Sequence, residues 1–302
     1  MKQGARGLNG REQQLVLRTR AMCLGADNNL VFVVHAGNAG ITLNHAFARR
    51  HFGGFIIGAI GKDDAILAPL AIVRMILQPL LQLAIYAFVF VEIFKARIPG
   101  AGAPGYVPFL VVGLWPWIAF SDAILRSTTA LQDNSALIGK VAVPREILVF
   151  APCAAGFMLH LAGFIVILLV LALTGQGIRI QGIPFAILMY LPMFLYAYGA
   201  ALCFAALQVF VRDLVQILGQ LLTLMMFAAP IFYDRSNLPD RYQGWLDLNP
   251  FTGFVEAYRF LLLGHGNFGW GALGLVLAIA VISYLVGSWL FRRLDPHFED
   301  FL

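Results

Sequence analysis

The chain has 302 residues, of which 60% are hydrophobic and only 12% charged, with a formal net charge of +5 and a mean hydropathy of +0.79. That balance excludes an ordinary soluble domain and identifies a membrane protein. A basic excess in a polytopic chain is the usual bias of cytoplasmic loops rather than a pointer to nucleic acid, and Cys23, Cys153 and Cys203 lack the paired spacing of a metal site or disulfide framework.

Residues 1–65 open polar and basic, with no apolar run of the kind a cleavable signal peptide carries, so the first span is expected to act as the insertion signal. The apolar pieces LVFVV and GFIIGAIG within them are too short to cross a bilayer. Residues 46–60 are expected to form an interfacial helix, and the stretch before it to be poorly ordered. Six apolar stretches follow, near 66–92, 107–131, 146–173, 183–210, 213–233 and 268–291, each long enough for the roughly 20 helical residues a span needs. Their apolar character is continuous rather than alternating, which selects helices over a β-barrel. The expected fold is therefore an all-α bundle: a cytoplasmic region 1–65, a six-span domain 66–291 and a tail 292–302.

An even number of spans puts both termini on one side. The N-terminal basic residues, Arg126, Lys140, Arg145, Arg212, Arg292 and Arg293 share that side, whereas Lys95, Arg97, Arg179, Arg235, Arg241 and Arg259 lie opposite. The positive-inside rule makes the termini cytoplasmic. The loop between spans two and three, LQDNSALIGKVAVPREILVFAP, has Asp133 or Asn134 as a helix cap, Leu137, Ile138 and Val141 on one face, and Pro144 where a helix can begin without an amide hydrogen. Such a short amphipathic helix suits docking into a partner's groove, and equally an ordinary hairpin on the membrane surface.

Trp115, Trp117, Tyr196, Tyr198, Phe227 and Tyr233 offer apolar faces with water-compatible edges and hydroxyls that could line a translocation pathway, or simple packing and interfacial belt. Tyr196 and Tyr198 are two apart and cannot share one helix face. His160 lies within a span, where a hydrogen-bonded packing role is expected. Intramembrane acids, the mark of proton-coupled carriers, are scarce: Glu92 and Asp122 lie within or at the margins of expected spans and Glu146 at the start of the third.

The segment 236–262, SNLPDRYQGWLDLNPFTGFVEAYRFLL, is too charged to cross yet too well patterned for a loop. In its second half Asn249 caps, Pro250 starts and Gly264 ends a helix on which Phe251, Phe254, Val255, Tyr258, Leu261 and Leu262 form one stripe and Thr252, Glu256 and Arg259 the other face. A weaker first helix puts Leu238, Tyr242 and Trp245 on one side, with Gly244 interrupting. A Walker A motif is not present at Gly61-Lys62, since Ile56 and Asp63 stand where Gly and Ser or Thr are required. Any work is thus expected to be driven from outside the chain.

Three blocks carry a resemblance: KVAVPREILVFAP, the run FAAPIFYDRSNLPDRYQGWLDLNPFTGFVEAYRFLLLG, and ILQPLLQLAIYAFVFVEIFKARIPG in span one. Together they resemble the permeases of polysaccharide-exporting ATP-binding cassette transporters. Residues 1–65 depart from that pattern. The resemblance implies a transport subunit, not an enzyme, that forms a homodimer and pairs with two copies of a separate ATPase in the cytoplasmic membrane. ATP and Mg would be bound by that partner, with no cofactor in this chain. The cargo implied is a lipid-linked glycan such as O-antigen, capsule or teichoic acid. Coupling to the ATPase would fall on Asn134, Leu137, Ile138, Lys140, Val141, Pro144, Arg145 and Glu146. The helix pair in 236–262 would dip into the outer leaflet as a re-entrant gate built on Trp245, Asn249, Pro250, Phe254, Glu256, Tyr258 and Arg259, or else lie flat as a lid. A permease for drugs or small lipids, and a membrane enzyme acting on lipid-linked sugars, remain as alternatives.

Overall fold

A continuous apolar run satisfies its backbone in lipid by bonding to itself as a helix, and the computed structural model is built of such helices. It describes residues 31–36, 39–44, 68–95, 98, 105–135, 138 and 144–301. The helices are α1 (Ala68–Ala87, prolonged by a π-helical turn Phe88–Ile93), α2 (Tyr106–Thr128), α3 (Ala130–Asp133), α4 (Arg145–Leu173), α5 (Ile183–Phe210), α6 (Leu214–Ala228), α7 (Asp240–Leu246), α8 (Thr252–Leu263) and α9 (Trp270–Leu294). A 3-10 tail, Asp295–Asp300, follows.

One described element is not helical. Strands β1 (Val31–Ala36) and β2 (Ala39–Asn44) pair antiparallel, from Val31 opposite Asn44 to Ala36 opposite Ala39. The expectation of disorder ahead of residue 46 is corrected for these residues: β-branched Val31, Val33, Val34, Ile41 and Thr42 favour extended backbone, and pairing satisfies amides that a short apolar run would otherwise leave open. The interfacial helix expected over 46–60 lies outside the described residues.

Among the described residues, four segments are long and apolar enough to cross a bilayer: Tyr106–Thr128, Arg145–Leu173, Ile180–Phe210 and Trp270–Phe298. The protein is a multi-pass helical membrane protein. The first expected span coincides with α1 and its π turn, and the fifth ends early. Pro230 is the cause: the residue before a proline is driven out of the helical region, and Ala229 takes φ −86°, ψ 149°. The 15 residues of α6 rise about 22 Å, short of a hydrocarbon core of about 30 Å.

Contacts sort the helix termini into two ends of the bundle. At one end the Tyr106 hydroxyl donates to the Phe232 carbonyl at 2.8 Å, the Arg179 amide donates to the Leu262 carbonyl at 2.7 Å, and the Phe109 and His265 rings lie 5.8 Å apart. At the other, Gln132 meets Gln208, Arg145 meets Asp295 and Phe210 meets Phe298. Successive long helices run back and forth between these ends.

The core is centred on α2, whose span is 78% buried, against 17% for the α9 span. Two close approaches set its geometry. The Trp115 indole packs over Gly163, where a Cβ would come within 2.6 Å of the ring, and donates to the His160 carbonyl at 2.9 Å. Helices α5 and α9 touch backbone to backbone at Gly199 and Gly287, where a Cβ on Gly287 would lie 2.0 Å from the Gly199 carbonyl oxygen. Small residues at such a crossing give membrane helices the packing that water would otherwise drive. The outward faces of α6 and α9 remain apolar, with Leu224 68% and Trp289 62% exposed, as contact with lipid or a second copy requires.

Candidate functional site

The candidate residues fall into three groups. The first is the Arg145 end. Asn134 follows α3, and its Nδ2 donates to the Ala130 carbonyl at 2.8 Å, satisfying one of the acceptors every helix C-terminus leaves open; the helix expected after it lies outside the described residues. Its Oδ1 has no partner among the described residues. Ile138 is half-buried and packs against the cluster of Leu131, Leu148 and Phe298. Leu137, Lys140 and Val141 lie outside the described residues. Pro144 caps α4, its carbonyl accepting from the Ile147 amide at 2.9 Å.

Arg145 and Glu146 face the tail of their own chain. Arg145 Nη1 donates to the Asp295 backbone carbonyl at 2.6 Å and to its carboxylate at 2.9 Å. Arg292 Nε donates to Glu146 Oε1 at 2.9 Å. Phe298, fully buried, anchors that tail against Phe291 and Phe210. Residues nearly 150 apart supply the charges, a separation no local pattern reveals.

The second group is aromatic. Trp117 and Tyr196 belong to one assembly: Trp117 meets Phe251 edge-on at 4.8 Å, Phe251 lies 5.0 Å from Phe120, and Phe120 stacks on Tyr196 at 4.7 Å. Phe254 completes it, stacked on Tyr196 at 5.9 Å. Tyr198 points to a different set, Phe150, Phe194 and Tyr284, as its two-residue offset requires. Trp115 is separate again, on the His160 side of α2. Phe227, in the last turn of α6, and Tyr233, just beyond it, lie together, the Tyr233 hydroxyl donating to the Phe227 carbonyl at 3.2 Å. Trp115 and Trp117 are 2% and 3% exposed, and Phe227 50%, so within one chain the two tryptophans are packed core.

The third group is the half-polar segment. Asn249 receives the Phe251 amide on Oδ1 at 3.0 Å and donates from Nδ2 to the Met225 carbonyl at 2.7 Å, which fixes the turn into α8. Pro250 lies in that turn, and α8 begins at Thr252. At the far end Gly264 adopts φ 63°, the left-handed position that favours glycine, and its amide donates to the Phe260 carbonyl at 3.1 Å. The guanidinium of Arg179 covers the face a Cβ would fill, a cation at a helix C-terminus where the dipole favours one.

The depth of α8 follows from its contacts. Phe251 touches Trp117 and Phe120, and Trp117 lies about 16 Å along α2 from Tyr106 at the usual helical rise. The opposite end, by His265, is level with Phe109. Phe254, Val255, Ala257, Tyr258 and Leu262 are all fully buried. α8 is thus enclosed between α2, α5 and α9, with its N-terminus near the middle of the bundle.

This enclosure corrects the polar face. Thr252 is buried, its hydroxyl donating to the Leu246 carbonyl at 2.6 Å. Arg259 is 4% exposed. Its Nη2 donates to the Ile231 carbonyl at 2.9 Å, and its guanidinium carbon stands 3.4 Å from the Phe109 ring centroid. Carbonyl oxygens and an aromatic face stand in for water around the charge. Glu256 pairs not with Arg259 but with Arg235, whose Nη1 lies 3.0 Å from Glu256 Oε1. Arg235 also grips Asp247 with both terminal nitrogens, at 2.8 and 2.7 Å, a bidentate geometry only arginine offers. The hydrogen bond to Asp247, before any other cause, holds the Arg235 pKa above its ordinary value. Beside it, Asp234 bonds His265 and receives the Ser236 amide at 2.9 Å. Burial would raise the Asp234 pKa, but bonds from Ser236 and His265 outweigh it and hold the carboxyl low. On α7, Trp245 is 71% exposed and its apolar side faces outward.

Long apolar spans with short, half-polar helices packed among them define a multi-pass helical membrane protein. The ABC-2 type transporter family matches residues 67–263, and the chain belongs to that family. It is 25% identical over 228 residues to the O-antigen export system permease protein RfbA of Klebsiella pneumoniae, covering 74% of this chain and 85% of the relative. A protein of the same name from Myxococcus xanthus is 27% identical over 230 residues, with 74% and 85% covered. The polysialic acid transport protein KpsM of Escherichia coli is 23% identical over 218 residues, with 72% and 83% covered.

Proposed function

We propose that this chain is the permease half of an ATP-driven exporter that carries a lipid-linked polysaccharide, O-antigen or a similar cell-surface glycan, across the cytoplasmic membrane. It acts as a homodimer bound to two copies of a separate ATPase, which holds the ATP and Mg. Six passes, α1 and α6 included, put both termini in the cytoplasm, so that the Arg145 end meets the ATPase and the Tyr106 end faces outward. The loop around Asn134, Ile138, Pro144, Arg145 and Glu146, with Leu137, Lys140 and Val141, receives the ATPase, and the tail clasped by Arg145 and Glu146 braces that surface.

The helices α7 and α8 form a re-entrant pair that enters from the outer face and turns at Asn249 and Pro250. The observation that carries this reading is the seat of Phe251 against Trp117 and Phe120, halfway along the central helix. A helix lying flat on the surface would not reach them. In the closed state the stack of Trp117, Phe120, Phe251, Phe254 and Tyr196 seals the path, and its faces receive sugar rings once α8 withdraws. The other aromatic candidates, Trp115, Tyr198, Phe227 and Tyr233, flank this seal. Glu256, Tyr258 and Arg259 hold the gate in place rather than lining the exit, while Trp245 anchors α7 among the headgroups.

The cargo is supported by the names of relatives that align over about three quarters of the chain, two for O-antigen export and one for polysialic acid transport. Deleting the gene is expected to strand a lipid-linked glycan on the cytoplasmic leaflet and to remove the corresponding surface polymer. Normal surface glycan in the deletion, with drug sensitivity or a missing small lipid instead, would assign the permease to another cargo.

A further inference from the structure

The coupling loop lies at one end of the bundle and the gate turn near its middle, and α6 is tied to both. At its start the side chain of Gln208, 1% exposed, forms a hub. Its Nε2 donates to the Arg212 carbonyl at 2.7 Å and to Gln132 Oε1 at 3.2 Å, while its Oε1 accepts the Val215 amide at 2.9 Å. Gln132 returns a bond from its own Nε2 to the Gln208 backbone carbonyl at 3.0 Å. The reciprocal pair joins α3, next to the cytoplasmic loop, to the elbow between α5 and α6, and every donor and acceptor of the buried amide is used. At the other end of α6, Asn249 Nδ2 binds the Met225 carbonyl at 2.7 Å. Between these attachments α6 is seated by one stripe, Leu218, Leu222 and Met226, while Ile217, Leu221 and Leu224 are exposed. A rigid helix held by one narrow face and pinned at both ends by buried amides can shift as a unit.

We propose that α6 is a connecting rod, carrying movement of the cytoplasmic loop through the Gln132–Gln208 pair to the Asn249 turn that seats α8. Gln132, Gln208 and Asn249 are positioning residues in this account. The inference rests on the gated-permease reading above and adds the route by which ATP hydrolysis reaches the gate. Contiguity alone does not establish such a route; coupling between its two ends does.

The test uses the full permease with its ATPase in nanodiscs, the native cysteines replaced by alanine and Leu248→Cys as reporter. Leu248 lies in the gate turn, 78% exposed and far from Gln132. The rate of labelling by a membrane-impermeant maleimide is measured without nucleotide and with ATP and vanadate. We expect nucleotide to change the rate severalfold in the parent, and Gln132→Met to abolish that response while the complex stays monodisperse and hydrolyses ATP. Gln132→Glu, which keeps the acceptor for Gln208 Nε2 but loses the donor, should retain part of it. Adding Asn249→Ala to the partial variant Gln132→Glu should lower the response no further than the larger of the two single losses. A merely structural role would alter basal labelling in both conditions alike and leave the response intact, which would overturn the proposal, as would additive losses. A parent without any nucleotide response would overturn the gated-permease reading as well. A responsive parent with an equally responsive Gln132→Met overturns the connecting rod alone.

Discussion

Arg235 ties together three pieces of the half-polar segment proposed as the gate: its own 3-10 turn, the end of α7 through Asp247, and α8 through Glu256. Arg235→Met keeps the stem and removes the charge. The three side chains are 34%, 56% and 27% exposed, so solvent screening limits each contact to the range of exposed ion pairs, about 0.2 to 1 kcal/mol. Two such pairs, one bidentate, together stabilise the closed arrangement by about 1 to 2 kcal/mol. That corresponds to a roughly 5- to 30-fold larger open population. Phe254→Cys supplies the assay, because Phe254 is fully buried and a thiol there reacts with an impermeant reagent only while α8 is displaced. Arg235→Met in that background is expected to speed labelling by that factor, and raising the salt should recover part of the increase in the parent, since exposed pairs are screened over about 10 Å at 0.1 M. An unchanged labelling rate, with the protein folded and salt without effect, would refute the clamp.

Three further outcomes follow from the packing and charge. Gly287→Ala forces α5 and α9 apart against a backbone contact and should destabilise the purified protein by about 1 to 3 kcal/mol, read as a lower Tm in detergent. Gly274→Ala on the same helix meets nothing within 4 Å and should leave Tm unchanged. Because the Asp234 pKa is lowered in the folded protein, its contribution to stability is complete above the ordinary carboxylate value of about 3.9 and is lost as pH falls through the lowered value. The acid side of a Tm–pH profile should therefore flatten in Asp234→Asn. Paired Leu137→Asp and Ile138→Asp should abolish export and ATPase association together; an intact complex from a membrane-inserted protein would move the docking surface elsewhere.

Much of this architecture was readable from the chain. Spans α2, α4, α5 and α9 announced themselves as unbroken apolar runs, and the αL end of α8 at Gly264 followed from glycine after a periodic stripe. Phe251, Phe254, Val255, Tyr258 and Leu262 are buried together as their 3.6-residue spacing required. The spacing failed for Thr252 and Arg259, because a helix enclosed on nearly every side buries its polar residues too. Whether a buried cation will find carbonyls such as those of Ile231 and Tyr233 is set by a loop outside the helix. Arg235 reads in the sequence as loop charge, since its partners stand 12 and 21 residues away with no period to link them. Gln208 did leave a signal, a lone amide at the end of an apolar span, where a buried polar group needs named partners. The early end of α6 was also written in Pro230, which apolar counting overlooked, and the hairpin of β1 and β2 in a β-branched run judged only for its length.

Reconstitution tests the central claim most directly. The permease and its ATPase are placed in proteoliposomes with the lipid-linked glycan, and translocation is followed by access of a glycan-cleaving enzyme to the opposite leaflet. The account predicts ATP-dependent appearance of the glycan there, lost when either subunit is omitted. Equal transfer without ATP or without the permease would contradict it.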